Sequence, residues 1–442
     1  MRWAKFVIAL LIAAVWFAVI VRHNCEAVGS ADSSGYFNEA RLLGSGRLTV
    51  PVPGPLFIPL GFIAAPESGA MVPSYPAGYP LHLALFRFAP FYVTPVAALL
   101  CLVAMFALAR TFGLSDESAF GASLMLATVP AFLLMSMQPM SDIVSLLWCM
   151  LAMLFALRER SVLAGIAFAI AVWVRPSNLL LAIPLGFSFS VGRRRLAAAI
   201  LGALPFAIAL VLLNHAMYGK WLTTGYGSIG YMLSWTNPIT RAPLYARWLA
   251  IYLIGLLVIF DKRAGKRALL GVWFAVFFVF YSFFSPIGEW GYTRFLLPAI
   301  PPLIIGILLL LRTQRALATI VVVAIAFHGW RFAQHEHVFA VHERELIYPQ
   351  TIAWAEQRLP RNATVAAMQL GGAFFYYANR VTFRYDLAEE YPHPLYAVIF
   401  GWELPYLRGH WTTLDRYRTA LLMKLDDVPR EVHPQNGAGD QR

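Results

Sequence analysis

Long apolar runs separated by short polar connections dominate this chain. The runs lie near residues 4–22, 91–110, 119–136, 143–157, 161–174, 177–191, 196–213, 245–260, 268–284, 296–311 and 316–331. A helix needs about 20 apolar residues to cross a ~30 Å hydrocarbon core, and several runs are near the lower limit. The pattern predicts a mainly α polytopic membrane protein, with about eleven transmembrane helices in a module over residues 1–331.

Two polar stretches interrupt this module. In the first, residues 23–90, Tyr36, Phe37, Ala40 and Leu43 share one helical face, and a second amphipathic stretch follows Pro80. Such stretches suit helices that lie in the plane of the membrane interface, although loops skirting the membrane would look similar.

The second stretch, residues 214–244, mixes aromatic residues with small polar ones. An aromatic belt at the level of the lipid head groups explains this composition, and so does a substrate-covering loop that stacks on sugar rings. The residues alone leave both interpretations open.

After residue 332 the pattern changes to that of a small α/β domain. Residues 348–359 and 373–379 are predicted to be helical, and residues 364–370, 381–385 and 395–400 to be strands. We therefore expect an extracytoplasmic α/β domain over residues 332–427, followed by a disordered polar tail, 428–442.

Composition and charge support the membrane assignment. The chain is 59% hydrophobic and 13% charged, against roughly 25% charged residues in soluble domains. With the N-terminus inside, basic residues concentrate in the connections expected to be cytoplasmic, such as Arg193-Arg194-Arg195. This positive-inside pattern accounts for the net charge of +12 without a nucleic-acid partner. The expected partners are membrane lipids, and the first run is interpreted as an uncleaved anchor.

The same alternation places residues 23–90, 214–244, 284–295 and the C-terminal domain outside, which in a bacterium means the periplasmic face of the inner membrane. Asp32, Asp142, Arg175 and Arg294 all fall at this outer face. Charged groups at membrane depth are costly unless they have a role or a partner. Two acids and two arginines suit transfer from a lipid phosphate, with a carboxylate as base and cations stabilising the phosphate. Helix capping by either acid and anchoring by either arginine are the structural alternatives.

These residues are part of an ordered set of motifs. Asp32-x-x-x-Tyr36 is followed by Tyr75-Pro76-Ala77-Gly78-Tyr79-Pro80, Ser141-Asp142, Arg175-Pro176 and Arg294-Phe295-Leu296-Leu297-Pro298. The set resembles membrane glycosyltransferases of the GT-C fold, especially the bacterial branch related to protein O-mannosyltransferases and lipid A aminoarabinose transferases. The likeness extends into the C-terminal domain and so covers most of the chain.

The resemblance implies an inverting sugar transfer from a polyprenyl-phosphate donor to a hydroxyl of a lipid, glycan or protein, with Asp32 as general base. It implies donor-phosphate or metal contacts from Asp142, Arg175, Arg294 and His82. Substrate contacts are expected from Tyr36, Glu39, Tyr75, Tyr79, Glu289 and Tyr292. No cofactor is certain, although Asp32 and Asp142 could support a divalent metal such as Mg²⁺ or Mn²⁺.

One motif departs from the pattern. Members that handle aminoarabinose tend to carry a lysine in the second motif, where this chain has Ala77 and Gly78. The departure argues against that subfamily and leaves the phosphate ligand open. Three rival functions remain. The first is a transporter or flippase of a polyprenyl-linked sugar, which would favour internal repeats that the sequence lacks. The second is another lipid-carrier enzyme such as an oligosaccharide polymerase or ligase, and the third is an inactive member of the family kept as an assembly partner.

Overall fold

The computed structural model of the protein describes residues 2–189, 192–227, 229–261, 266–284 and 289–426. The predicted tail 428–442 lies outside these residues. The described part is mainly helical. Its first fourteen helices are α1 (Arg2–Arg22), α2 (Ala31–Gly44), α3 (Gly78–Leu85), α4 (Val93–Thr111), α5 (Asp116–Ala127), α6 (Pro130–Ser136), α7 (Ser141–Leu157), α8 (Ser161–Val174), α9 (Ala182–Phe189), α10 (Arg193–Tyr218), α11 (Asn237–Leu253), α12 (Arg267–Phe283), α13 (Ile300–Leu310) and α14 (Arg315–His335).

Apolar helices occupy the predicted positions, but their lengths differ. Five are long and apolar enough to cross a membrane: Pro90–Thr111, Arg193–Tyr218, Asn237–Phe260, Trp290–Leu310 and Arg315–His335. The pair α5 and α6, bent by 69°, would make a sixth. Shorter apolar helices, of 10–17 residues, coincide with the other predicted runs. Length and composition therefore support five or six spans in the described residues, and the full set of eleven stays a prediction.

Small residues let some of these helices cross closely. A Cβ atom at Gly165 of α8 would overlap the backbone of Ala199 in α10, and one at Gly202 of α10 would overlap the backbone of Val162. Close backbone approach at small residues is typical of helix packing within membranes. The crossing holds α8 in place, and Arg175 directly follows α8.

The first polar stretch, residues 23–90, folds into α2, α3 and a three-stranded antiparallel sheet with strand order β1 (Val50–Pro51), β3 (Ala70–Pro73), β2 (Phe62–Ala64). The sequence suggests an interfacial position for α2, but the structure buries residues 33–40 and Leu42 within the protein. The polar side of α2 faces the C-terminal region: Asn38 donates to the carbonyl of Gly372, and Arg41 donates to those of Phe375 and Tyr376. α2 is thus held between the apolar helices and the C-terminal region.

The C-terminal region contains α15 (Val341–Glu345), α16 (Ile347–Glu356), α17 (Gly371–Ala378) and a sheet of β4 (Thr364–Ala366), β5 (Leu395–Phe400), β6 (Trp411–Tyr417) and β7 (Ala420–Leu425). The strand order is β4-β5-β7-β6, with only the β4–β5 pair parallel. Alternate residues of β5 pack on opposite faces: Val398 and Phe400 lie in one hydrophobic cluster with α16 and α17, and Ala397 and Ile399 in another. The strand predicted at 381–385 is reduced to one bridge at Phe383.

Candidate active site

The four charged residues singled out from the sequence lie together, at the ends of their elements. Asp32 is in the first turn of α2 and Asp142 in the first turn of α7. Arg175 directly follows α8, and Arg294 lies in a 3-10 segment, Trp290–Ala299, that leads into α13. The dipole of a helix stabilises an anion at its N-terminus and a cation at its C-terminus. Three of the four charges are therefore placed where their helices favour them.

Asp32 is held through both carboxylate oxygens. Oδ1 accepts a hydrogen bond from the hydroxyl of Tyr75 at 2.7 Å, and Oδ2 lies 3.2 Å from Nη2 of Arg294. Tyr75 can approach Asp32 because its ring packs directly on Gly35. A side chain at position 35 would place its Cβ atom inside the ring of Tyr75. About a third of the Asp32 side chain remains exposed. The carboxylate is thus oriented and still accessible to a substrate.

Asp142 forms the second ion pair and is completely buried. Its Oδ2 lies 2.8 Å from Nη2 of Arg175, and Nε of Arg175 donates to the hydroxyl of Ser141 at 3.0 Å. Neither carboxylate oxygen of Asp142 accepts a well-aligned hydrogen bond within the described residues. The ion pair is therefore close, but its geometry leaves lone pairs of Asp142 unused.

The capping alternatives for the two acids do not match the geometry. The N-cap residues are Ser30 for α2 and Met140 for α7, and neither makes a side-chain capping bond. Asp32 and Asp142 each lie two residues beyond the N-cap and form ion pairs with arginines instead.

Phe295 connects the two ion pairs. The guanidinium of Arg175 lies 5.5 Å from the centre of its ring, and that of Arg294 lies 5.0 Å from it. Cation–π attraction is favourable at such distances. The ring holds two like charges near each other, and each arginine is also paired with its own acid. With two carboxylates and two guanidiniums the cluster is formally neutral.

Aromatic side chains close the network on its other side. The hydroxyl of Tyr36 is 3.0 Å from Oγ of Ser141, and its ring lies 4.7 Å from that of Tyr75 and 5.1 Å from that of Tyr79. Burial, with the nearby carboxylate of Asp32, raises the pKa of Tyr36, so its phenol stays neutral. Contacts therefore run in a closed ring from Asp32 through Arg294, Phe295, Arg175, Ser141, Tyr36 and Tyr75 back to Asp32.

The structure does not bring every predicted residue into this ring. His82 is occupied elsewhere: its Nδ1 is 2.6 Å from the carbonyl of Gly78, and its Nε2 is 3.0 Å from Nε1 of Trp148. Because Trp148 can only donate, Nε2 must accept, which makes His82 a neutral donor to Gly78. Trp148 lies seven residues beyond Ser141, about 10 Å along α7. His82 is therefore not placed to bind a phosphate at the ring of contacts around Asp32 and Asp142.

The remaining predicted residues lie at its edges. The ring of Tyr292 is 5.9 Å from the guanidinium of Arg294, and the hydroxyl of Tyr79 is 2.9 Å from that of Thr94. Glu289 is exposed. Glu39 follows Tyr36 by about one turn on the same face of α2 but is fully buried, and within the described residues neither of its oxygens has a hydrogen-bond partner.

Three residues of the network are absent from the predicted site. Ser141 and Phe295 stand inside the quoted motifs, so their positions in the sequence were a usable signal. Tyr226 comes from the second polar stretch, residues 214–244: its ring is edge-on to Tyr75, 6.0 Å between centres, and it interacts electrostatically with Asp32 and Arg175. Nothing in the local sequence distinguishes Tyr226 from the other aromatic residues of that loop.

The arrangement does not resemble a metal site. Within the described ranges, no group of three or more His, Cys, Asp and Glu side chains could hold a metal ion. Each acid of the site is already paired with an arginine. We therefore assign no step to a metal.

Comparisons with known proteins give one clear result, from structures. No protein-family model matches the chain, and no curated protein does so significantly. The crystal structure of ArnT from Cupriavidus metallidurans bound to undecaprenyl phosphate matches with a TM-score of 0.64 at 12% identity, over 96% of this chain and 98% of that chain. The apo structure of the same protein matches with a TM-score of 0.60 at 13% identity and the same coverage.

An oligosaccharyltransferase from Archaeoglobus fulgidus, tethered to an acceptor peptide, also matches over 81% of this chain, but its TM-score of 0.45 is too low to support an argument. The two ArnT structures cover almost the whole of both chains, so the likeness includes the C-terminal region. The chain has the GT-C fold of membrane glycosyltransferases, as the sequence motifs predicted.

Proposed function

We propose that the protein is an integral-membrane glycosyltransferase that moves a sugar from a polyprenyl-phosphate donor to an acceptor hydroxyl, with inversion. The observation that carries the proposal is the closed ring in which Asp32 and Asp142 are each paired with an arginine across Phe295. The fold of a protein crystallised with undecaprenyl phosphate supports the choice of donor.

Asp32 acts as the base. In the step we propose, the acceptor oxygen bonds to the anomeric carbon of the sugar while the bond from that carbon to the phosphate oxygen breaks. The electron pair leaves with the phosphate, and the acceptor proton passes to Asp32. A phosphate leaves without a general acid, so one carboxylate is enough, whereas inverting glycosidases need two.

Arg294 and Arg175 are the proposed phosphate ligands, in place of the lysine that the second motif lacks. Their planar forks of donors match phosphate oxygens. The cluster is neutral before the donor binds, so a donor phosphate would compete with the two carboxylates for the guanidiniums. Release of Asp32 from Arg294 would then leave a freer and more basic carboxylate next to the acceptor.

The proposed location is the outer face of a bacterial inner membrane, with the N-terminus in the cytoplasm and the C-terminal domain outside. Reporter fusions after residues 110 and 340 test this arrangement. The fusion after residue 110 should report the cytoplasm and the one after residue 340 the periplasm. If both report the same side, the arrangement is wrong.

The chemistry is tested by Asp32→Asn in purified protein given a panel of polyprenyl-phosphate sugars. General-base catalysis contributes typically 10²–10⁴-fold, so transfer should fall by about that factor. Asp116→Asn is the matched control, because Asp116 also lies in the first turn of a helix and pairs with an arginine, Arg110, but is 76% exposed. It should transfer at the original rate.

Thermal unfolding of Asp32→Asn checks that the variant folds normally, so that a lower transfer rate can be attributed to the lost carboxylate. A folded Asp32→Asn protein that transfers sugar at the original rate would exclude Asp32 as the base. Movement of the intact lipid-linked sugar across vesicles, without transfer, would favour the flippase alternative.

A further inference from the structure

The position of the proposed base depends on a tight turn, residues 28–30, just before α2. Asp32 is the second residue of α2, which begins at Ala31. The residue before the helix, Ser30, has a φ of 41° and a ψ of 176°. A non-glycine residue keeps such a positive φ only where its surroundings hold it, because the backbone is strained there. Contacts from outside the turn must therefore fix its shape and, with it, the start of α2.

Two tyrosines of the C-terminal region make these contacts. The backbone N–H of Val28 donates to the hydroxyl of Tyr377, on α17, at 2.7 Å. The ring of Tyr348, on α16, packs so closely on Gly29 that a Cβ atom there would lie 2.3 Å from Cδ2 of the ring. The hydroxyl of Tyr348 forms a hydrogen bond with the backbone of Ser30. Each residue of the turn is thus contacted by a side chain that is distant in sequence.

The C-terminal region also holds α2 on the other side of Asp32. A Cβ atom at Gly372, in the first turn of α17, would lie 2.1 Å from Oγ of Ser34. Ser34 is fully buried, and its hydroxyl donates back to the carbonyl of Ser30 at 2.5 Å. The backbone is therefore fixed two residues before and two residues after Asp32.

These backbone contacts matter most once a donor is bound. The carboxylate of Asp32 is held by Tyr75 and Arg294, and the proposed competition of a donor phosphate for Arg294 would weaken that hold. The turn and α17 would still set the position of the base. A general base must lie within about 2.6–3.2 Å of the group whose proton it takes, and a misplacement of about 1 Å can cost 10²-fold in rate.

We propose that Tyr348 and Tyr377 are positioning residues for Asp32. They act through the turn at residues 28–30 and not on the substrate. The C-terminal region is then part of the catalytic apparatus, because it sets where the base stands relative to the acceptor hydroxyl. The inference rests on the proposed glycosyl transfer, but the hold on the turn can be measured without turnover.

Transfer kinetics of purified, full-length Tyr377→Phe test the positioning role. Tyr377 is 39% exposed, and phenylalanine keeps its ring while removing the acceptor for the buried N–H of Val28. We expect kcat to fall about tenfold, within the range for a misplaced base, with the KM for the polyprenyl-phosphate sugar nearly unchanged. Tyr348→Phe should lower kcat by a smaller factor, because its ring still packs on Gly29.

Tyr385→Phe is the matched control. Tyr385 lies in the same C-terminal region, but its hydroxyl donates to Glu403 and not to the turn. This variant should unfold at a lower temperature, because a buried acceptor loses one of its donors, and its kcat should equal that of the wild type. An equal fall of kcat in Tyr385→Phe and Tyr377→Phe would reduce the effect to general destabilisation and overturn the inference.

A double-mutant cycle separates positioning from any effect that does not pass through the base. The Asp32→Asn protein has no carboxylate to position, so adding Tyr377→Phe should leave its residual transfer rate unchanged. If Tyr377→Phe lowers the rate by the same factor in both backgrounds, Tyr377 does not act through Asp32. An unchanged kcat in the single variant Tyr377→Phe would likewise reject the positioning role, and the proposed glycosyl transfer would stand.

Hydrogen exchange followed by mass spectrometry measures the hold on the turn directly. The amides of residues 28–34 should exchange faster in Tyr377→Phe and Tyr348→Phe than in the wild type, and at the wild-type rate in Tyr385→Phe. Unchanged exchange of this segment in all three variants would overturn the inference. Faster exchange there, with no transfer by the wild type from any polyprenyl-phosphate sugar, would confirm the hold on the turn and reject the glycosyltransferase.

Discussion

Two glutamates are fully buried, Glu39 on α2 and Glu403 in the C-terminal region, and they differ in their hydrogen bonding. Glu403 accepts hydrogen bonds from the hydroxyl of Tyr385 at 2.9 Å, the N–H of Phe400 at 2.8 Å and the N–H of Gln369 at 3.3 Å. Glu39 has no hydrogen-bond partner within the described residues. Burial raises the pKa of both groups, but for Glu403 the three donors oppose the shift.

The same contrast extends to the surrounding regions. In the C-terminal region Arg380 donates hydrogen bonds to both carboxylate oxygens of Glu356, at 2.6 and 2.9 Å. Around α2 and the ring of contacts, the buried atoms that lack a hydrogen-bond partner among the described residues include those of Asn24, Ser33, Glu39 and Asp142. Thr351 and Thr382 are comparable exceptions in the C-terminal region. Buried polar groups normally cost stability unless they are hydrogen-bonded. In the C-terminal region the buried charged side chains form hydrogen bonds that stabilise the fold. Around α2, several buried charged and hydroxyl groups of the described residues have no hydrogen-bond partner and can bind a ligand.

The largest predicted effect concerns the ion pair between Arg175 and Asp142. Arg175→Met should lower the free energy of unfolding in detergent by about 3–5 kcal/mol, because it leaves a buried carboxylate without its cation. The double variant Arg175→Met/Asp142→Asn should recover most of the loss. Chemical denaturation of the wild type and the variants measures both.

Arg195 provides the matched control for that experiment. It pairs with Glu159 at 2.7 Å, but both side chains are substantially exposed, and exposed pairs contribute about 0–1 kcal/mol. Arg195→Met should therefore have little effect. Equal losses in Arg175→Met and Arg195→Met would contradict the importance given to burial.

The convergence of Asp32, Asp142, Arg175 and Arg294 was predictable, because the charge pattern assigned all four to one membrane face. The pairing was not, since sidedness does not say which arginine meets which acid. The local pattern around Tyr36 suggested a helix in the membrane interface, because the partners of Asn38 and Arg41 lie more than 330 residues away and could not be read locally.

Strand β6 was also not predicted. It alternates between half-buried and exposed residues over Trp411–Tyr417. The residue types do not show this period of two, because Leu414 is on the exposed side and Asp415 on the half-buried side.

Glu403→Ala tests the satisfied member of the glutamate pair. It removes the acceptor of three donors, of which the N–H of Phe400 and the hydroxyl of Tyr385 are in fully buried surroundings. We expect a loss of about 3 kcal/mol in the free energy of unfolding, since stranded donors cost about 1–3 kcal/mol each and some will find water. Glu389→Ala, at an exposed glutamate of the same region, should change stability by less than about 0.5 kcal/mol. A loss below 1 kcal/mol in Glu403→Ala would mean that its hydrogen bonds are not structural.

Glu39→Gln should act in the opposite direction and increase stability, by an amount on the order of 1 kcal/mol at pH 8. The folded state raises the pKa of Glu39 above its ordinary value of 4.5 because burial disfavours the carboxylate. Folding therefore takes up a proton, and the wild type loses stability as the pH rises from about 4.5 through the raised pKa. The amide of glutamine has no such proton, so thermal unfolding of Glu39→Gln should be less sensitive to pH over this range. Glu67→Gln, at an exposed glutamate of the same polar stretch, residues 23–90, should keep the pH dependence of the wild type. If Glu39→Gln instead destabilises the protein at pH 8, Glu39 is ionised in the folded state, and an unseen cationic group of a ligand or a metal ion becomes the better explanation for its burial.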